Sequence, residues 1–522
     1  MTADSEAPGV ELVAEGCSLV AGRAVQGDGP EFLAFNPRTG EEVGPVFREA
    51  GLELVEKSTA AAREAFGTLE YHFERGPALL DRAAALMEVH RPEIVERAEI
   101  ETALSRTRLE GELTRTVNQL RFLAEVAASG ERLDVATDNV PNRLALALVR
   151  LPIGPVAVFG ASNFPLAFSV PGCDTAAALA AGCPVVVKAH EAHPATSELC
   201  GRVFIEAVRD CGLHPGWFSL LQGRSALGAT LARDPNIKAV AFTGSERGGR
   251  ALFDMASARP EPIPVYAEMG SINPVFVTAA SIESRGEEIV SALAASIIGS
   301  GGQLCTKPGV VFADYRTDAE TGFASRFASL VEISDEQPLL TPQIRERFLH
   351  SLQVVAAAVS GEGEDCGGQI RGGPALLASG RVIRASLQDW VREDALRDEI
   401  FGPASVLVAA PEESWLDVAH KLSGSLTASI WLESEEHVRL APLVRALSTR
   451  VGRVVVNGLP TGVRVSKAMF HGGPYPASAS ARDTSVGACS LDRFLRPVCF
   501  QGVPEELLPR AVTASTTRHQ SG

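Results

Sequence analysis

The 522-residue chain has no Cys-x-x-Cys pair and an odd number of cysteines, nine, at 17, 173, 183, 200, 211, 305, 366, 489 and 499. A disulfide framework is not built that way, and most of these thiols stand in apolar stretches, so a reducing cytoplasm is the expected compartment. No cluster of His, Cys and Asp has metal-ligand spacing, so no metal is expected. A Lys/Arg-rich stripe is missing as well. With a net charge of −16 the chain would repel a phosphate backbone, which argues against a nucleic-acid partner. Long hydrophobic runs are also missing. The most apolar stretch, Thr175 to Val187, is short and broken by Gly182 and Pro184, and it cannot span a bilayer. The opening Met1-Thr-Ala-Asp-Ser-Glu6 is acidic and shows neither a basic nor an apolar leader region, so no secretory signal is expected. Internal repeats and long low-complexity tracts are absent.

What is present describes a globular α/β protein: 45% hydrophobic residues, 21% charged residues and 48 glycines. A chain of this length exceeds one simple core, and two or three domains are expected. Helical spacing of Ala, Leu, Glu and Arg runs from Leu52 to Phe66 and again from Arg75 to Ala128. Asn36-Pro-Arg-Thr-Gly40 reads as a turn between strands. Residues 143–151 alternate like an exposed strand. Apolar β-branched runs then alternate with helices: strands at Val156–Phe159, Val185–Val187, Phe218–Leu221 and Ala239–Phe242, and helices over 171–181, 195–211 and near Gly248–Ala258. That alternation predicts a doubly wound parallel sheet. A second alternating series from Pro274 to about Asn457 predicts a second α/β domain. Gly361–Gly373, with six glycines, reads as a surface loop, and the chain after Pro504 as a frayed tail.

Phe242-Thr-Gly-Ser-Glu-Arg-Gly-Gly249 is a strand ending in a glycine-containing turn that opens a helix. Such a turn lets backbone N–H groups approach a pyrophosphate at the helix N-terminus. Gly244 and Gly249 do not form G-x-G-x-x-G, so the turn is equally well a plain strand–helix connection. Other motifs follow in register. Asn163 stands in Gly160-Ala-Ser-Asn-Phe-Pro165, and Lys188 in Val185-Val-Val-Lys-Ala-His-Glu191. Glu268 stands in Tyr266-Ala-Glu-Met-Gly-Ser-Ile-Asn-Pro274. Cys305 stands in Gly301-Gly-Gln-Leu-Cys-Thr-Lys-Pro-Gly309, 305 − 268 = 37 residues later, and Glu399 in Asp398-Glu-Ile-Phe-Gly-Pro403.

In this order and spacing the motifs resemble the aldehyde dehydrogenase superfamily over residues 30–500. Asp174–Pro184, Val456–Val463, His471–Ala477, Thr484–Gly487 and Arg493–Pro497 carry a narrower resemblance, to the branch of α-ketoglutaric semialdehyde (2,5-dioxovalerate) dehydrogenases and NADP-linked fatty aldehyde dehydrogenases. The resemblance implies a Rossmann-like cofactor domain (1–132 and 153–268), an α/β catalytic domain (269–460), β-arm oligomerisation and bridging segments (133–152 and 461–502) and a flexible tail (503–522). It also implies a homodimer or dimer of dimers.

The same resemblance assigns roles. Cys305 is the nucleophile that forms a thioester, and the Asn163 amide with the Cys305 N–H makes the oxyanion hole. Glu268 is the general base for hydrolysis, which favours release of a free acid over acyl transfer to coenzyme A. Lys188 and Glu191 meet the adenosine ribose; Gly244, Ser245 and Gly249 belong to the pyrophosphate turn; Glu399 holds the nicotinamide ribose and Phe401 packs on the nicotinamide. The cofactor is NAD or NADP, and the Glu191 carboxylate favours NAD because it repels a 2′-phosphate. Arg115 falls on the helix lining the aldehyde tunnel, where a guanidinium suits a distal carboxylate. Equally, it could pair with Glu112 on a solvated face. Phe164 and Phe168 are tunnel walls or ordinary core residues. The expected substrate is a dicarboxylate semialdehyde such as 2,5-dioxopentanoate, with neutral aliphatic or aromatic aldehydes as the alternative. A catalytically silent homologue would require loss of Cys305, Asn163 or Glu268, and all three are present. Four places depart from the family's commoner pattern: Leu304 before the nucleophile, Met269-Gly270-Ser271 after the base, Gly172 where a second lysine is common, and Arg464 where an acid is expected.

Overall fold

Runs of four or five apolar residues with no polar alternation make strands that must be covered on both faces. In the computed structural model, which describes residues 12–67, 75–138, 146–314, 322–359 and 375–513, these runs assemble two parallel sheets. The first has seven strands, in the order Val265–Glu268, Ala239–Thr243, Val156–Phe159, Val185–Lys188, Phe218–Leu221, Ser18–Val20 and Arg23–Val25. Its first five strands are parallel, and the N-terminal hairpin closes the edge antiparallel. The second sheet has six parallel strands: Arg381–Ser386, Ala404–Ala409, Val310–Ala313, Val275–Val277, Ser425–Trp431 and Val451–Val456.

The first sheet winds outward from Val156–Phe159 in both directions. Val185–Lys188 and Phe218–Leu221 lie on one side, and Ala239–Thr243 and Val265–Glu268 on the other. The connections leaving Phe159 and Thr243 therefore diverge to opposite faces and leave a crevice at the carboxyl ends of the strands, where ligands of open α/β sheets bind. Asn163, Lys188, Ser245 and Glu268 all lie at or just beyond those ends.

The helical pattern expected from Arg75 to Ala128 is broken into three helices, Arg75–Val89, Arg91–Thr102 and Arg106–Ser129. Pro92 in the first turn of the second helix starts it afresh. Ala103, left-handed at φ 55°, ends that helix, and the Ser105 side chain accepts the Arg108 N–H to begin the third. A helix at Ser225–Arg233, which the sequence pattern did not indicate, covers the strand at Val156–Phe159, with Gly228 against the Phe159 ring.

The alternating stretch at 143–151 appears as the strand Leu146–Pro152, with 143–145 outside the described residues. It is the middle of a three-stranded antiparallel sheet, flanked by Leu495–Gln501 and Ala136–Asp138. Those two neighbours, rather than 146–152, carry the sheet's edges. The loop expected at Gly361–Gly373 lies outside the described residues. Of the tail expected to fray after Pro504, residues 514–522 lie outside the described residues; 504–513 instead pack, with a 3-10 turn at Glu505–Leu507 and Val512 buried in the core beside the first sheet.

Candidate active site

Asn163 follows the strand Val156–Phe159 by four residues, in a loop tied down by the helix Arg106–Ser129. Glu112, buried, accepts the backbone N–H groups of Leu166 and Ala167, each at 2.9 Å. Arg108 pairs with Glu112 at 3.3 Å, donates to the Asn163 carbonyl at 2.9 Å and lies over the Phe164 ring. A buried carboxylate is costly unless paired and hydrogen-bonded, and this one meets both conditions. The Asn163 amide is thereby aimed across to the loop that carries Cys305, where it donates to the Gln303 carbonyl at 2.7 Å.

Cys305 sits just past a turn in which Ser300, Gly301 and Gly302 all have positive φ. Glycine at 302 is required twice over, because a Cβ there would lie 2.1 Å from the Gly402 carbonyl oxygen. Asn273, fully buried, fixes the far side of the loop: its amide donates to the carbonyls of Cys305 at 2.8 Å and Lys307 at 3.0 Å. Cys305 Sγ lies 3.6 Å from His471 Nε2, and the same nitrogen lies 3.0 Å from Glu268 Oε1. The other Glu268 oxygen accepts the Ser485 hydroxyl. Glu268 and His471 are both buried. Burial works against ionisation of Glu268, yet the His471 ring, the Ser485 hydroxyl and the more distant Arg493 hold it below the usual carboxylate range. Burial, together with Glu268 and Glu399, pushes the Cys305 thiol well above its usual value, and Arg115 opposes that shift. The resting sulfur is therefore a thiol with a proton acceptor beside it.

Glu268, Cys305 and His471 present ligand atoms within 4.8 Å of one another, a closeness in space that sequence spacing did not show. Each of these atoms is already engaged with another of the three. In a second such group, Glu15, Cys17 and Glu198, the Glu198 carboxylate is occupied by the backbone N–H groups of residues 15, 16 and 17.

Arg115 is not paired with Glu112, whose carboxylate is taken by Arg108 and the 166–167 backbone. Its guanidinium lies over the Phe168 ring, 5.1 Å from the centroid, and Phe168 packs edge-on to Phe164 and 6.0 Å from the His471 ring. Its Nε donates to the Val463 carbonyl at 3.4 Å, while Nη1 and Nη2 are buried without a hydrogen-bond partner among the described residues.

Lys188 Nζ and Glu191 Oε2 form a 2.9 Å ion pair at the end of their strand. Ser245 caps the helix Glu246–Ser257, accepting the Gly248 N–H, so that helix presents its N-terminus at the crevice, as anion binding requires. Gly244 donates its N–H to the Glu268 carbonyl at 3.0 Å. Gly249 has a packing reason of its own: a Cβ there would meet the Met269 sulfur at 2.6 Å, so its absence lets the helix lie close on the strand Val265–Glu268. Glu399 Oε2 lies so near Gly270 that a Cβ there would be 2.5 Å away, and Phe401 beside it is half-buried. An ammonium–carboxylate pair, a capped helix N-terminus and an acceptor carboxylate along one crevice fit a dinucleotide.

His471, Ser485, Asn273, Gln303 and Lys307 also belong to the site without a role read from the sequence, and Glu112, weighed only as a partner for Arg115, holds the 166–167 backbone. His471 stands in a stretch that carries the family likeness, but it lies 166 residues from Cys305 and nothing in its neighbourhood signals the contact.

The sequence model of the Aldehyde dehydrogenase family matches residues 24–496. Alpha-ketoglutaric semialdehyde dehydrogenase 2 of Azospirillum brasilense is 41% identical over 521 residues, covering 95% of this chain and 96% of that one. The alpha-ketoglutaric semialdehyde dehydrogenase of Acinetobacter baylyi is 37% identical over 520 residues, covering 97% of each. Among solved structures, a mutant of the 1-pyrroline-5-carboxylate dehydrogenase of Thermus thermophilus superposes with a TM-score of 0.81 at 20% identity, covering 94% of this chain and 93% of that one. The NAD+ complex of the Bacillus cereus aldehyde dehydrogenase superposes with a TM-score of 0.79 at 22% identity, covering 93% and 96%.

Proposed function

The chain belongs to the aldehyde dehydrogenase family, and we propose that its substrate is a semialdehyde bearing a distal carboxylate, of the class of 2,5-dioxopentanoate, oxidised to the free dicarboxylic acid. One observation supports the carboxylate above all: two buried guanidinium nitrogens of Arg115 lack partners among the described residues, beside the nucleophile. A buried donor without an acceptor is costly, and a planar carboxylate would satisfy both nitrogens at once.

The chemistry follows from the residues in place. His471 Nε2 accepts the Cys305 proton, and the Glu268 carboxylate stabilises the imidazolium that results. The thiolate adds to the aldehyde carbon, and the Asn163 amide receives the oxyanion, a contact worth about 3–4 kcal/mol of barrier. NAD(P)+ bound in the crevice supplies the hydride acceptor. The proton taken from Cys305 passes to solvent, the Glu268–His471 pair then takes a proton from the water that attacks the Cys305 thioester, and the expelled thiolate recovers that proton as the acid leaves. Lys188, Glu191 and Glu399 hold the two riboses, the capped helix at Ser245 the pyrophosphate, and Phe401 the nicotinamide face. The Glu191 carboxylate makes NAD+ the preferred cofactor. Among the described residues the three-stranded sheet has two free edges, and these make a homodimer, or a dimer of such dimers, the natural assembly.

Reduced-cofactor formation across a panel of semialdehydes and alkanals, with both cofactors, tests the reading. A kcat/KM at least about tenfold higher for the carboxylated semialdehydes is expected. Equal or better turnover of the alkanals would refute the carboxylate assignment.

A further inference from the structure

Two residues past the nucleophile stands a lysine with no task in the chemistry above. Lys307 is 2% exposed, its Nζ donates to the Ala404 carbonyl at 2.5 Å, and its own carbonyl is held by Asn273. A carbonyl alone does not offset the loss of water around an ammonium; a countercharge is needed. The loop that carries Ala404 also carries Glu399. It crosses the nucleophile loop at Gly302 and Gly402, which touch so closely that a Cβ on Gly302 would strike the Gly402 carbonyl. Lys307 has no ion pair within 4.0 Å among the described residues; at longer range the Glu399 carboxylate favours its ammonium against burial. Around Glu399 itself stand Lys307, the backbone N–H of Ser271, the thiol of Cys305 and, from the helix Glu246–Ser257, the Glu246 carboxylate. Lys307 is the sole cation in that set.

We propose that Lys307 is a positioning residue for the cofactor: its buried ammonium keeps the Glu399 carboxylate ionised and in place to accept the hydroxyls of the nicotinamide ribose, and so ties the ribose site to the nucleophile loop. The inference rests on the assignment of Glu399 to that ribose. An ionised carboxylate can accept from two neighbouring hydroxyls, whereas a protonated one turns an oxygen into a donor. Burial pushes Glu399 up to about 7 even with Lys307 present, and pushes Lys307 down to about 8, so each is close to losing its charge without the other.

The test is the Kd for NAD+, measured by titration calorimetry on the apoenzyme at about pH 7.5, which needs no turnover. Lys307→Met removes the charge and the donor; Lys307→Gln removes the charge but keeps a donor for the Ala404 carbonyl, and serves if the methionine variant does not fold. Both are expected to weaken NAD+ binding roughly threefold, the effect at that pH of raising a carboxyl pKa of about 7 by about one unit. Glu399→Gln should do at least as much, and Lys307→Gln should add nothing in the Glu399→Gln background. Wild-type affinity in both lysine variants, with weak binding by Glu399→Gln, would overturn the role of Lys307 and leave the ribose assignment standing. Additive losses in the double variant would overturn it too, because Lys307 would then act elsewhere. Wild-type affinity in Glu399→Gln would remove the ribose assignment and this inference together.

Discussion

His471 Nε2 lies 3.0 Å from Glu268 Oε1, in a pocket where Glu268 is 5% and His471 1% exposed. The same nitrogen is 3.6 Å from the Cys305 sulfur. One nitrogen cannot accept from the thiol and donate to the carboxylate in the same proton state, so under the proposed mechanism the imidazole would switch between these two bonds as Cys305 loses its proton. On that reading Cys305 and Glu268 share a single proton carrier.

His471→Ala should therefore lower kcat by about 10²–10³, the usual scale for a positioned acid–base group, and leave the Kd for NAD+ within about twofold of wild type. It should also slow alkylation of Cys305 by iodoacetamide near neutral pH, since the thiol is pushed up by burial and loses its acceptor. Unchanged alkylation would separate His471 from the activation of the sulfur.

Glu268→Gln keeps the hydrogen bond to the ring but removes the charge. Attack on the aldehyde and hydride transfer continue, while the thioester waits for a base. Stopped-flow mixing should show a burst of reduced cofactor near one equivalent per active site, followed by a steady rate lower by at least about 10². A uniformly slow trace without a burst would place the main role of Glu268 before hydride transfer.

Arg115 offers two buried nitrogens without partners among the described residues. Arg115→Leu should raise KM for a carboxylated semialdehyde about 10–100-fold, the range expected for a lost charge-assisted bidentate contact of about 1.5–3 kcal/mol. For an unbranched alkanal of similar length, kcat/KM should hold or rise. A parallel loss on both substrates would mean that Arg115 supports the Phe164–Phe168 wall and not the carboxylate.

These side chains show where the sequence could be read and where it could not. Strands such as Val185–Lys188 were legible because a run buried on both faces leaves a local composition signal. Asn163, Lys188 and Glu268 were singled out by the family resemblance of their motifs in order and spacing, and the fold puts them at or within four residues of strand ends. The break of 75–128 into three helices turned on Pro92, which starts the second helix afresh, and on left-handed Ala103, which ends it; periodicity reveals neither break. The choice between a solvated Arg115–Glu112 pair and a tunnel arginine turned on Arg108, because only the fold brings the 166–167 backbone to Glu112 and fills it. His471 reaches Cys305 across 166 residues, and no local pattern encodes a contact of that span.

Glu191, paired with Lys188 at 2.9 Å, is the residue we propose to set the cofactor preference. The carboxylate accepts from a 2′-hydroxyl and opposes a 2′-phosphate, so kcat/KM should favour NAD+ over NADP+. Glu191→Ala frees the Lys188 ammonium for a phosphate, and the NADP+/NAD+ ratio of kcat/KM should rise by at least about tenfold. That shift needs about 1.4 kcal/mol, within reach of one charge pair in a partly buried site. An unchanged ratio would locate cofactor discrimination elsewhere in the crevice.

Acidity should govern NAD+ binding through Glu399. Against burial, the His190 ring and the Lys188 ammonium hold Glu191 down to about 2, and burial takes His190 down to about 3. Neither changes charge between about pH 6 and 8. Glu399, pushed up to about 7 by burial, does. A carboxyl with a raised pKa is neutral below that value and ionised above it, so its capacity to accept the ribose hydroxyls is present at about pH 8 and lost on acidification. Over the same range Lys307, lowered to about 8, becomes fully charged while Glu399 loses its charge, and the Kd for NAD+ should rise by about tenfold from pH 8 to pH 6. Glu399→Gln, which does not titrate, should bind weakly at both pH values and show a flat profile. A wild-type affinity independent of pH over this range would mean that Glu399 is ionised throughout or does not touch the ribose. The variant separates these cases: weak binding by Glu399→Gln indicates the first, and unchanged binding the second.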